Sequence, residues 1–246
     1  MQKSLVKALQ ILELLEGDQE DFGISEIAEK MGLFKSNVHQ ILITFEKYGY
    51  VKKDPVNHRY SLSMRFLEIA HRISSRMTNQ ETIRMFLQEL TDEIGEICYF
   101  GVPAGSNVMY FSGGFPRPSL SAHSVLGMTA PLTCTGIGKA MLAHMLDEQV
   151  EAVLEKPLEK YTDTTITDKD KLKEELKKIR SRGYSVDNME HEYGVKCVAV
   201  PVFSQQGKLV GAVSITGPSL RFPASSYQKY AKKLSELASK IGQSML

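Results

Sequence analysis

Gly23-Ile24-Ser25-Glu26-Ile27-Ala28-Glu29-Lys30-Met31-Gly32-Leu33 is a short helical pattern closed by a glycine, and a second such pattern follows from Lys35 to Tyr48. Ile24, Ile27, Ala28 and Met31 recur at helical spacing, with Ser25 placed to cap the first helix, and Val38, Ile41, Leu42 and Phe45 repeat the spacing in the second. The second helix is left with an outer face of Lys35, Ser36, Asn37, His39, Gln40 and Thr44, a set rich in donors that suits base edges in a major groove. Beyond it, Tyr50-Val51-Lys52-Lys53 and His58-Arg59-Tyr60-Ser61-Leu62 flank the turn residues Asp54-Pro55-Val56-Asn57, the pattern of a hairpin. A hairpin after a helix-turn-helix is a wing, so residues 1–63 are expected to form a winged DNA-binding head. The expected DNA contacts are Ser25, the six outer residues of the second helix, and Lys53 and Arg59 of the wing.

Charge distribution supports that expectation where the total does not. The formal net charge is only +1, yet residues 30–76 hold nine Lys or Arg against three acids, while residues 1–29 hold two against seven. The basic residues therefore gather on the second helix, the wing and the segment after it, as a phosphate-facing surface requires. The alternative is a small helical module used for protein contacts, which would not need this asymmetry.

The remaining length allows a second core. With 246 residues, 42% of them hydrophobic, the chain is long enough for two domains. No run approaches the roughly 18 apolar residues of a membrane span, and no signal-peptide pattern is read at the N-terminus. Cys98, Cys134 and Cys197 are odd in number and widely spaced, which fits reduced thiols and a cytoplasmic location better than a disulfide framework.

Met64, Leu67, Ile69, Ala70 and Ile73, interleaved with Arg65, Glu68, Arg72 and Arg76, predict a linker helix over 64–79. Residues 80–246 then read as a helix over 81–94, a strand pair over 97–102 and 108–112 turning at Pro103-Ala104-Gly105, and helices over 136–145 and 169–182. Strands over 184–187, 197–203 and 209–216 follow, the last two joined at Gln205-Gln206-Gly207, before a final amphipathic helix from Ala224. Helices mixed with mostly antiparallel strands give the α+β class.

Three ordered blocks in this second half carry a resemblance. They are Gly127-Met128-Thr129-Ala130-Pro131-Leu132 running into Thr135-Gly136-Ile137-Gly138-Lys139-Ala140-Met141-Leu142-Ala143, then Arg182-Gly183-Tyr184-Ser185-Val186-Asp187 with Glu190, Glu192, Gly194 and Cys197-Val198-Ala199-Val200-Pro201, then Gly211-Ala212-Val213-Ser214-Ile215-Thr216-Gly217-Pro218. Together with the winged head they resemble the IclR-type transcriptional regulators over essentially the whole chain. The resemblance implies a GAF-like effector domain holding a small keto, sugar or aromatic acid in a cup on the sheet. The matching positions are Gly136, Ile137, Asp187, Cys197, Ser214 and Thr216, with Ala130, Ser119 and Ala122 in the stretch expected to close over the cup. Gly136-Ile137 opens a helix whose amides suit a carboxylate, and Ser214 and Thr216, two apart on a strand, point to one face. The small closing residues imply room for a sugar-derived acid of about six carbons, unless Phe115, Leu126 or Met128 fills the space.

The head departs from the family pattern twice. Phe34 stands before Lys35 where a hydroxyl or proline is usual, and Gln40 stands where arginine is common. Glutamine suits adenine edges.

The expectation is therefore a DNA-binding regulator, more in keeping with a repressor, acting as a homodimer or homotetramer on double-stranded DNA under control of a small organic acid. Two recognition helices would lie one DNA turn, about 34 Å, or a multiple apart. No cofactor, catalytic residue or metal site is expected. Glu190-His191-Glu192 beside Asp187 and Cys197 could ligate a metal, but an exposed polar loop explains them more simply. A thiol-based redox regulator is the second reading, with Cys134 at the pocket mouth and Cys197 within it. An enzyme with a reactive cysteine is the third, and no Ser-His-Asp order supports it.

Overall fold

The computed structural model describes residues 2–17, 19, 21–76, 79–116 and 125–245, with the side chains of 74–76 also left aside. The chain forms two compact units, Met1–Thr78 and Asn79–Leu246.

The first unit runs α1 (Lys3–Leu15), α2 (Ile24–Met31), α3 (Lys35–Lys47), β1 (Val51–Lys53), β2 (Tyr60–Leu62) and α4 (Arg65–Arg76). Its core joins Ile11 and Leu15 of α1, Ile27 and Ala28 of α2, Val38 and Leu42 of α3, and Val51 and Tyr60 of the hairpin. The expected helix periodicities are thus the buried faces, while α1 itself has no counterpart in the sequence reading. Gly32 ends α2 in the left-handed region at φ 61°, where a side chain would be strained, and this makes the sharp turn into α3. Ser25 does not cap α2. Gly23 occupies the cap, and the Glu26 carboxylate three residues on accepts its N–H at 2.9 Å, leaving Ser25 exposed inside the first turn. β1 and β2 pair antiparallel, and Phe22 exchanges two backbone bonds with Tyr60, tying the segment before α2 to the hairpin. The expected linker helix appears as α4 and clusters with the head.

The second unit contains α5 (Gln80–Ile94), β3 (Ile97–Ala104), β4 (Asn107–Gly114), β5 (Thr129–Pro131), α6 (Gly136–Leu142), α7 (Asp147–Leu154), α8 (Lys169–Arg182), β6 (Ser185–Asn188), β7 (Val195–Phe203), β8 (Leu209–Pro218) and α9 (Tyr227–Ser244). The strands form one antiparallel sheet in the order β5-β4-β3-β8-β7-β6. Strand alternation divides their side chains between two layers. Cys98, Phe100, Val198, Val200, Val213 and Ile215 pack with Ile83 and Leu87 of α5 and Leu234 and Ile241 of α9. Tyr99, Cys197, Ala199 and Ala212 face the opposite side, with Ile137 and Met141 of α6 and Leu172 and Ile179 of α8.

Several bounds differ from expectation. The β3–β4 turn lies at residues 105–106, because Pro103 and Ala104 remain paired with Val108 and Asn107. The helix expected over 136–145 ends at Leu142, with Ala143 as its cap. β5 and α7 were not anticipated: one is three residues long, the other a short helix of two turns.

Candidate functional site

The outer face of α3 is the candidate nucleic-acid surface. Lys35, Ser36, Asn37, His39, Gln40 and Thr44 are all exposed, as the burial of Val38 and Leu42 on the opposite face requires. Ser36, Gln40, Ile43 and Lys47 stand at i, i+4, i+7 and i+11 and form the centre line of that face. Ile43 and Lys47 belong to it in addition to the expected residues. Thr44 is less available than expected, since its hydroxyl donates to Gln40 O at 2.8 Å. In the wing, Asp54 Oδ1 accepts the N–H groups of Val56 and Asn57 at 2.7 and 3.1 Å, shaping the turn and holding its carboxyl below the usual range. Lys53 is exposed, its ammonium 5.6 Å from the centre of the Tyr60 ring.

Arg59 is engaged within the head. Its Nε donates to Asp21 Oδ1 at 2.6 Å and its Nη2 to Glu26 Oε2 at 2.7 Å, so two acids and the Asp21 carbonyl engage the guanidinium. It ties the wing to the start of α2 rather than presenting a bare cation. The acids lie in the N-terminal segment, 38 and 33 residues away, and spacing alone carried no sign of the meeting.

On the second unit, Ala130, Gly136, Ile137, Asp187, Cys197, Ser214 and Thr216 all line one cavity of about 390 Å³. Register explains the convergence. Asp187 pairs with Cys197, Cys197 with Thr216 and Thr216 with Ile97, a row running across four strands of the sheet. One step along, Ala199, Ser214 and Tyr99 form the next row, and the Ser214 and Thr216 hydroxyls stand 3.5 Å apart. α6 closes one side. Thr135 caps it, accepting the Gly138 N–H at 3.0 Å, and the amides of Gly136 and Ile137 open the helix without intrahelical acceptors. Ser185 Oγ donates to Gly136 O at 2.6 Å and pins the helix start to β6. A Cβ on Gly136 would meet Cys197 Sγ at 2.6 Å, so only glycine lets α6 sit this close to β7.

The rest of the wall was not anticipated. Tyr99 and Tyr110 meet edge to face with centroids 5.1 Å apart, and His191, Glu192 and Thr129 bring further polar groups. Their spacings carry no local pattern; they meet only once the strands are paired. Of the three large residues that could fill the space, Met128 is in the wall, whereas Phe115 and Leu126 are not. Phe115 packs on Tyr99 at 5.9 Å, with its backbone held by Gln88. Ser119 and Ala122 lie outside the described residues.

Behind the cavity, Lys139 of α6 is buried, donating to Val186 O at 2.8 Å and to the Glu190 carboxylate. The polar loop expected from sequence is present but not exposed throughout: His191 is half-buried and Glu192 exposed, whereas Glu190 is buried and its N–H donates to Asp187 Oδ1 at 2.7 Å. Burial pushes the Asp187 carboxyl up to about 7, against the opposing pull of the Glu190 amide and Lys139. Burial likewise raises Glu190, opposed by Lys139, and lowers His191. Among the described residues no group of three or more His, Cys, Asp or Glu is disposed to hold a metal. All three thiols are buried, and burial pushes each to about 12, away from the reactive thiolate. Cys134 does not sit at the pocket mouth as expected; it is buried and is not among the lining residues.

Comparison with known proteins bears on both units. Residues 71–243 match the bacterial transcriptional regulator IclR C-terminal domain, and residues 4–55 match the IclR helix-turn-helix domain. The chain is 31% identical to the HTH-type transcriptional regulator KdgR of Escherichia coli K12 over 243 residues, covering 98% of this chain and 92% of KdgR. It is 28% identical to the regulator XynR of the same organism, covering 95% and 93%. The crystal structure of Thermotoga maritima IclR aligns over 99% of this chain and all of its own, with a TM-score of 0.72 and 31% identity. With both matched domains in order, and the winged head and cupped sheet in place, the chain belongs to the IclR family of DNA-binding transcriptional regulators.

Proposed function

We propose that this regulator changes its hold on DNA when a small organic acid, of the keto-acid or sugar-acid kind, occupies the cavity on the sheet. One observation carries the reading: seven positions from four separate stretches of sequence line a single cavity. Its wall is mostly apolar with a few convergent polar groups, and its size falls in the usual range for small-molecule sites. The Gly136 and Ile137 amides supply partial positive charge for a carboxylate, while Ser214, Thr216 and Asp187 supply partners for hydroxyl or carbonyl oxygens. A volume of about 390 Å³ exceeds what a two-carbon acid occupies and favours a chain of about six carbons.

DNA contact is assigned to Lys35, Ser36, Asn37, His39, Gln40 and Thr44 on α3, joined by Lys47 and by Lys53 of the wing. Two copies of the chain, alone or as a pair of pairs, would set two such helices a whole number of DNA turns apart. Occupancy then responds to ligand only through its differential affinity for two arrangements, typically about 1–3 kcal/mol. Repression follows in the simplest case, where the bound protein occludes a promoter. The redox reading loses support because each thiol is buried and held protonated.

The test is a thermal-shift screen of the full chain against glyoxylate, pyruvate, keto-deoxy sugar acids and simple aromatic acids. A ligand at one hundred times its dissociation constant stabilises the fold by about 2.7 kcal/mol, a readable shift. A hit lost in Ser214→Ala supports the site. A hit retained in Ser214→Ala and Thr216→Val moves the ligand elsewhere.

A further inference from the structure

Phe34 is a large apolar residue that the head holds out in water. It caps α3 in an extended conformation, and its carbonyl accepts the N–H groups of Asn37 and Val38 at 3.0 and 3.2 Å, so its backbone is fixed. Its side chain is nonetheless 80% exposed, unlike the buried Val38 and Leu42 one and two turns on. A phenylalanine turned into water buries little apolar surface in the fold; its position matters because it stands at the start of the second helix of the helix-turn-helix.

Helix-turn-helix proteins place the N-terminal residues of the second helix against base edges. Among the groups the major groove presents, only the thymine 5-methyl is apolar, and it is read by apolar contact, phenylalanine included. The residues that follow Phe34 and must sit beside DNA if it does are suited to it: Lys35, Ser36 and Asn37 are all exposed at the start of α3. A hydrophobic protein partner would meet a lysine and two hydrogen-bonding side chains, Lys35, Ser36 and Asn37, directly after this phenylalanine.

We propose that Phe34 reads sequence, by packing against the 5-methyl group of a thymine in each half-site. The polar residues that follow it set hydrogen bonds, whereas Phe34 adds a contact that depends on one methyl group. Removing that methyl by replacing thymine with deoxyuridine changes nothing else on the base, which makes the contact directly measurable.

The experiment begins with selection of duplexes from a random pool by the full-length protein and by Phe34→Ser, whose hydroxyl is a good helix cap. Circular dichroism and an unchanged salt dependence establish that the variant is folded and still meets phosphate. The wild type is expected to select a thymine that Phe34→Ser no longer selects. Deoxyuridine at that position should weaken the wild type about four-fold, the worth of one buried methyl, and leave Phe34→Ser unchanged. Phe34→Leu should keep the thymine preference. The proposal is overturned if both proteins select the same bases, if deoxyuridine weakens both equally, or if the wild type selects no thymine. Failure of the wild type to bind any duplex would overturn it together with the assignment of α3 to DNA.

Discussion

Asp187 Oδ1 accepts the backbone N–H of Glu190 at 2.7 Å, so the turn that carries a buried ion pair hangs from a carboxyl that also lines the cavity. Burial holds that carboxyl up to about 7 against 3.8 for an unperturbed one. Its proton is bound more tightly folded than unfolded. The resulting stabilisation is complete below about pH 3.8 and is lost as pH rises toward about 7. Denaturant melts at about pH 5 and about pH 7.5 should show the wild type losing on the order of 2 kcal/mol more than Asp187→Asn, which keeps an acceptor oxygen for the turn. Equal losses would place the titrating group elsewhere.

The same carboxyl bears on the ligand. Among the described lining residues the charged side chains are Asp187 and Glu192, with His191, and no Lys or Arg. An anionic acid entering beside Asp187 favours its protonated form, so binding should take up a proton and tighten as pH falls from about 7.5 to about 6. Calorimetry in buffers of different ionisation enthalpy measures that uptake. Proton release on binding would contradict it.

How much of this was legible in the sequence depends on distance along the chain. Val38 and Leu42 announce the buried face of α3 because helical periodicity is local, and Ser214 and Thr216 announce a common face because strand alternation is too. The seven cavity positions could be assembled only through resemblance to a family; neither spacing nor composition brings Gly136 to Cys197. The ion pairs of Arg59 were illegible for the same reason, since its partners Asp21 and Glu26 lie far off in sequence. Glu190 reads as exposed because charge suggests it, and only the fold reveals Lys139 opposite it.

Removing one member of that pair should be costly. Lys139→Met leaves the Glu190 carboxylate buried without its cation, a loss of about 3–5 kcal/mol, while adding Glu190→Gln should recover much of it. Denaturant titration of the two single variants and the double variant measures the coupling. Additive losses would mean that the two side chains do not interact.

Gly136→Ala should lower stability by about 1–3 kcal/mol, because the new methyl collides with Cys197 Sγ. Cys197→Ala removes that atom, so the double variant should be more stable than Gly136→Ala alone. A double variant no better than the single one would show that α6 is held off β7 by something else.

In the head, Lys53 and Arg59 should separate cleanly. Lys53→Ala should weaken all DNA sequences alike and reduce the slope of affinity against salt by about one counterion. Arg59→Ala should instead lower the melting temperature of the protein, since its guanidinium holds Asp21 and Glu26. Gln40→Ala should relax preference at one or two base pairs with little change in salt dependence. A change of sequence choice in Lys53→Ala would show that the wing is wrongly placed.

The central claim is that an acid in the cup alters the grip of the head on DNA. Its most direct test is fluorescence anisotropy of a selected duplex bound to the full-length protein, titrated with the acid found by thermal shift, for wild type and Ser214→Ala. Wild-type DNA affinity should change 5- to 150-fold, about 1–3 kcal/mol of coupling, and the variant's much less at the same acid concentration. DNA affinity that stays constant while the acid demonstrably fills the wild-type cavity would contradict it.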